Sequence, residues 1–148
     1  MSDERRHANT FAVPGARREV PDVVILAVEW RTRAPLRAQL LEEKYEVVAT
    51  DSWPDARRHL RPGAKPRLVI VDLESLPDPR EVLDGLALLM KPDRVLVVSA
   101  LATVPEDEIR RRGFHLVMRP TTIEAIVAEV RRKRRSTEGT EFTNGATE

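Results

Sequence analysis

Four places in the chain carry side chains able to do chemistry together: Glu29 followed by Trp30, Asp72, Ser99 followed by Ala100, and Arg119 followed by Pro120. Two carboxylates accept hydrogen bonds, a guanidinium donates in a planar fork and a hydroxyl does both, so brought together they form a charged pocket. Other chemistries lack their residues. The absence of Cys excludes disulfides, thiolate metal sites and thiol catalysis. His7, His59 and His115 are scattered, without the spacing of a metal cluster or a Ser-His-Asp triad. Gly63, Gly85 and Gly113 are too far apart for a dinucleotide fingerprint or a P-loop, and no Ser/Thr/Gly-rich loop follows the first apolar run, as a flavin phosphate would need. The chain is not expected to be an enzyme.

Each of the four places closes or follows a short apolar run. The runs are Val23 to Val28, Val47 to Ala49, Leu68 to Val71, Val95 to Val98 and Leu116 to Met118, and they are apolar without alternation, as strands buried on both faces require. Between them lie stretches of helical period: Leu36, Leu40, Leu41; Trp53, Ala56, Leu60; Val82, Leu83, Leu86, Leu89, Met90; and Ile123, Ile126, Val127, Val130. Start signals support these helices. Asp78-Pro79-Arg80-Glu81 offers a cap, a first-turn proline and an acid, while Thr121-Thr122-Ile123-Glu124 and Thr103-Val104-Pro105-Glu106 have the capping-box form. Gly63 and Gly113 fall where the second and fourth helices should stop. Alternating strands and helices with right-handed crossovers predict a doubly wound α/β fold, a five-stranded parallel sheet flanked by five helices. In such a sheet reactive groups gather at the carboxyl ends of the strands, where Glu29, Asp72, Ser99 and Arg119 are placed.

That set, in that order, resembles the receiver domain of bacterial two-component response regulators. The resemblance rests on Val24-Ile-Leu-Ala-Val28 before an acid, Tyr45-Glu-Val-Val-Ala49, Pro66-Arg-Leu-Val-Ile-Val-Asp72-Leu, Arg94-Val-Leu-Val-Val-Ser99-Ala100, and Gly113 leading to Met118-Arg119-Pro120. It implies a flavodoxin-like sheet of order 2-1-3-4-5, that Asp72 is the phosphoacceptor position served by a histidine kinase, that Glu29 and Asp72 are what remains of a Mg²⁺ site, and that Ser99 is the switch hydroxyl. Ser99 read by itself is equally a small residue packing under the fourth helix. The chain departs from the family's pattern at several points. Glu29 is one methylene longer than the usual aspartate, and Trp30 replaces the second acid, so a hard cation loses a carboxylate. Arg119 replaces the usual lysine with a broad fork, and proline falls five residues after Asp72 rather than four. A ring at Trp30 is expected to cover the pocket.

The expectation is therefore a stand-alone degenerate receiver acting in signal transduction by protein binding, through the face made by helix 4, strand 5 and helix 5, without a normal Mg²⁺-dependent phosphorylation cycle. Arg119 is expected to compensate Asp72 and Glu29 as a bidentate partner. Two alternatives are a working regulator phosphorylated on Asp72 by a histidine kinase, and a module that contacts nucleic acid through Arg131 to Arg135. Nucleic acid is the weaker reading, because residues 22–130 hold 16 basic against 18 acidic residues and cations at the end of a last helix complement its dipole. Residues 1–21 read as a flexible arm, 22–135 as the receiver-like domain and 136–148 as a disordered tail too short for an effector domain. No apolar run approaches membrane-spanning length, and the start is polar, so a cytoplasmic protein without membrane contact is expected.

Overall fold

The structure, a computed structural model, describes residues 20–100 and 103–147, with side chains as far as Arg135. The elements are β1 (Val23–Leu26), α1 (Trp30–Glu42), β2 (Val47–Thr50), α2 (Trp53–Arg57), β3 (Leu68–Asp72), α3 (Pro79–Leu89), a 3-10 turn (Pro92–Arg94), β4 (Val95–Ser99), α4 (Glu106–Arg111), β5 (His115–Met118) and α5 (Ile123–Thr147). All strand pairs are parallel, as the apolar runs predict, and the sheet order is β2-β1-β3-β4-β5, as the resemblance implies.

Strand residues alternate between two cores. Val24, Leu26, Val69, Val71, Val95 and Val97 pack beneath α2, α3 and α4. Val23, Ile25, Ile70, Leu96 and Val98 pack beneath α1 and α5. Both faces of the sheet are thereby covered, which is why the strands lack a polar side. Gly85 shows how tightly the first core is filled. It sits inside α3, where glycine is a poor helix former, and a Cβ there would lie 2.5 Å from Cζ2 of Trp53.

Several local expectations shift. Asp78 caps α3 as predicted, its carboxylate accepting the Glu81 N–H. The cap of α5 is Thr122, whose hydroxyl accepts the Ala125 N–H, rather than Thr121. Pro105, not Thr103, precedes α4, and no side chain caps that helix. Gly113 follows α4 with φ +86°, as a helix stop should, but Gly63 (φ +81°) belongs to a separate turn beyond α2, which ends at Arg57. The arm, 1–21, lies almost wholly outside the described residues; its last residue, Pro21, is buried. The segment 136–148, read as a tail, continues α5 as far as Thr147. Arg131 to Arg135 therefore lie along the helix and not at its carboxyl end, so the helix dipole does not account for them. Arg131 instead pairs with Glu43 of the α1–β2 turn, and Arg132 with Glu129.

His115 opens β5. Burial of the ring and the Lys133 ammonium hold it below the usual imidazole range, with Arg132 adding to them and Glu129, whose Oε1 lies 3.0 Å from Nε2, pulling the other way. The folded state thus holds this proton less tightly than the unfolded chain. Stability from His115 is fully present above the unfolded value and is lost as pH falls through the folded one. Between about pH 7.5 and 5 the melting temperature of the wild type is expected to fall further than that of His115→Gln. Gly85→Ala is expected to destabilise by about 1–2 kcal/mol in urea unfolding, overpacking against Trp53 outweighing the gain in helix propensity, and to do less harm in a Trp53→Leu background.

Candidate functional site

Parallel pairing sets the exits of all five strands along one edge of the sheet. Asp72 is the last residue of β3, paired with Val98, and Ser99 is the last of β4, paired with Met118. One step further, the Arg119 N–H donates to the Ser99 carbonyl at 2.7 Å, which carries the guanidinium to the same edge; the Arg119–Pro120 bond is cis.

The centre of the edge is an ion pair. Nη2 of Arg119 lies 2.6 Å from Oδ2 of Asp72, and the Asp72 side chain is 2% exposed against 25% for Arg119. The other oxygen, Oδ1, accepts the Glu74 N–H at 3.1 Å. Nη2 also donates to Oγ1 of Thr32 at 3.2 Å, while Nε, 3.6 Å from Oε1 of Glu74, makes no hydrogen bond. An ionised carboxylate this deep must exchange hydration for fixed partners, and the guanidinium and the Glu74 amide occupy both of its oxygens.

The remaining expected residues surround this pair without joining it. Oε2 of Glu29 accepts the Ser75 hydroxyl at 2.5 Å. Ser75 takes φ +68°, a left-handed conformation that favours glycine, in the loop where no glycine is present. Ser99 is 1% exposed, and its hydroxyl donates to the Ala100 carbonyl at 3.3 Å, with neither Asp72 nor Arg119 as a side-chain partner. Trp30 corrects an expectation: it is 69% exposed and does not cover the pocket. The face of α1 turned to the sheet is Thr32, Leu36 and Leu40, and a residue two places before Thr32 lies about 200° away around a helix.

Four contributors escape a reading of motifs. Thr32 belongs to the buried stripe of α1, detectable as the first member of the i, i+4, i+8 series with Leu36 and Leu40. Glu74 follows Asp72 by two, the spacing at which an aspartate accepts a backbone amide. Ser75 has no signal in the sequence. Arg33 donates to the carbonyls of Ala27 and Val28, at 2.8 and 3.0 Å, and ties α1 to the exit of β1.

The donor set does not fit Mg²⁺. Near-octahedral oxygen coordination needs free carboxylates, yet Asp72 is held by Arg119 and Glu74, and Glu29 by Ser75. Among the described residues no group of three His, Asp or Glu side chains could hold a metal ion.

The fold is a doubly wound α/β domain whose strand exits carry the Asp72–Arg119 pair. No protein-family model matches the chain, and no curated protein sequence matches it. Solved structures do. The signal receiver domain of a Luxo repressor protein from Vibrio parahaemolyticus superposes with a TM-score of 0.68 at 20% identity, covering 83% of this chain and 96% of that one. A CheY-like response regulator receiver domain protein from Methanospirillum hungatei gives 0.68 at 17% identity, covering 80% and 96%. NtrX from Brucella abortus gives 0.69 at 18% identity; the match covers 84% of this chain and 29% of that longer one. The chain thus has the fold of response regulator receiver domains.

Arg119→Met strands a buried carboxylate. It is expected to destabilise by about 2–3 kcal/mol in chemical denaturation, less than a fully buried pair because Arg119 reaches solvent, and Asp72→Asn in the same chain should recover part of the loss.

Proposed function

We propose that this chain is a degenerate receiver module that acts in signal transduction by binding a protein partner in one set conformation, without a Mg²⁺-dependent phosphorylation cycle. The observation that carries this reading is the 2.6 Å pair between Arg119 and the 2%-exposed Asp72. To attack a phosphoryl group, a carboxylate oxygen must be free and must face the incoming phosphorus, with a cation nearby to neutralise charge on the equatorial oxygens. Oδ2 of Asp72 is engaged by a guanidinium and Oδ1 by an amide, and the second acid of the usual metal pair is Trp30.

The same pair supports a single conformation. A switching receiver needs the cation that follows β5 to exchange partners; Arg119 is held by Asp72 and Thr32 and by its own N–H on Ser99. The partner surface in this reading is the face of α4, β5 and α5, a charged one, where Glu106 pairs with Arg110 and Asp107 with Arg111. Two further pairs, Arg80 with Glu108 and Arg112 with Asp84, tie α4 to α3. Nucleic acid through Arg131 to Arg135 has less support, since Arg131 and Arg132 are engaged by carboxylates. No described helix is long and apolar enough to cross a membrane.

Incubation with acetyl phosphate and Mg²⁺ is expected to leave the intact mass unchanged, and beryllofluoride with Mg²⁺ to leave the melting temperature unchanged. A phosphate adduct on the wild type that disappears in Asp72→Asn would overturn the proposal. The triple variant Glu29→Asp, Trp30→Asp, Arg119→Lys is expected to gain a Mg²⁺-dependent response in the thermal melt.

A further inference from the structure

The opposite edge of the sheet, where the strands begin, holds a cleft of about 350 Å³, within the range of small-molecule sites. Five segments far apart in sequence converge there: the residues leading into β1, β2, β3 and β4, and the fourth turn of α5. Lys44, Arg67, Arg94, Lys133 and Arg134 line it, against two carboxylates, Asp22 and Asp93. Asp22 is already engaged, its Oδ2 accepting the Glu46 N–H at 2.9 Å.

Some arginines elsewhere in the domain hold carboxylates, as Arg80, Arg112 and Arg131 do. Lys44, Arg67 and Arg94 have no side-chain hydrogen bond or ion pair among the described residues, although they share one concavity. Like charges brought together without counterions repel, and a concave wall of one sign concentrates the opposite charge. Burial lowers the Lys133 pKa, with Asp93 and Glu129 opposing it, so this ammonium is partly stripped of water at the cleft wall. Tyr45 contributes a hydroxyl shut off from solvent with no hydrogen-bond partner, and its ring lies under the Arg134 guanidinium, 5.3 Å from ring centroid to Cζ. The cleft therefore combines a positive excess, arginine forks suited to phosphate oxygens and an unused donor.

We propose that this cleft is a binding site for a small phosphate-bearing anion of nucleotide size, separate from the Asp72 edge and independent of it. Its cations come from the entrances of β2, β3 and β4 and from α5, so an anion bound there would crosslink those three entrances to the last helix. The occupant is a soluble small molecule rather than a nucleic acid strand, because the cations line a concavity instead of forming a track.

The test is calorimetric titration of the full chain with inorganic pyrophosphate and with ATP, without added Mg²⁺, at near-physiological salt. Saturable one-to-one binding of at least one of them is expected, weakened tenfold or more by Arg94→Glu and by Arg67→Glu and unchanged by Arg61→Glu, a cation outside the cleft. Arg67 is exposed ahead of β3, so its variant keeps the test usable should Arg94→Glu fail to fold. The proposal is overturned by no binding at millimolar concentrations of both probes, or by equal binding in the Arg67→Glu and Arg94→Glu variants. It is likewise overturned if an oligonucleotide binds with steep salt dependence where pyrophosphate and ATP do not.

Discussion

Burial of the Asp72 carboxylate is the constraint around which the rest of one edge is arranged. A parallel sheet covered on both faces leaves its last strand residues no water to lean on, so an acid at the end of the central strand needs partners supplied by the fold. Arg119 arrives through the final rung of the β4–β5 ladder, its guanidinium donating also to Thr32 on the inward stripe of α1, and the Glu74 amide arrives through the loop that follows β3. Three elements are thereby registered on one charge. The pair is not the main source of stability, which lies in the two apolar cores; it determines how the exits of β3 and β5 sit relative to each other.

Much of this was legible in the residues. Continuous Val and Ile runs announce strands buried on both sides, and the alternation with helical periods leaves little choice but a doubly wound sheet, whose order and strand positions are as expected. The Asp72–Arg119 pairing was legible in part: opposite charges at the exits of β3 and β5, one strand apart, lie within reach of each other, but they meet through Nη2 alone and Glu29 goes to Ser75 instead. Trp30 was not. Whether its ring lies over the pocket or away from it depends on where α1 begins and on its rotation, and a change of one residue swings a side chain through about 100°. The cap at Thr122 instead of Thr121 is the same kind of one-residue ambiguity. Ser75 in a left-handed conformation was illegible for another reason: composition marks a turn, but φ is set by what the turn must reach, here the carboxylate of Glu29.

Charge balance conceals an asymmetry along the strand direction. Residue counts near neutrality spoke against a basic surface, yet counting ignores position. At the strand exits Asp72, Glu74 and Glu29 share Arg119 and Ser75 as partners, whereas at the entrances cations outnumber carboxylates around a single cleft. The sheet thus has two electrically different ends, and no local pattern could reveal it, because the contributing residues come from several separate connections on the entrance side and from the last helix.

The link between Ser75 and Glu29 has a consequence for the neighbouring tryptophan. Glu29 is the residue from which α1 starts, its carbonyl accepting the Thr32 and Arg33 amides while Ser75 holds its side chain, and Arg33 ties the first turn back to β1. Trp30 projects into solvent from a backbone fixed on both sides, with only its own two side-chain torsions free. The entropy of ordering that ring's support has been lost at folding, so an encounter at this corner meets a preorganised aromatic surface and has little left to freeze.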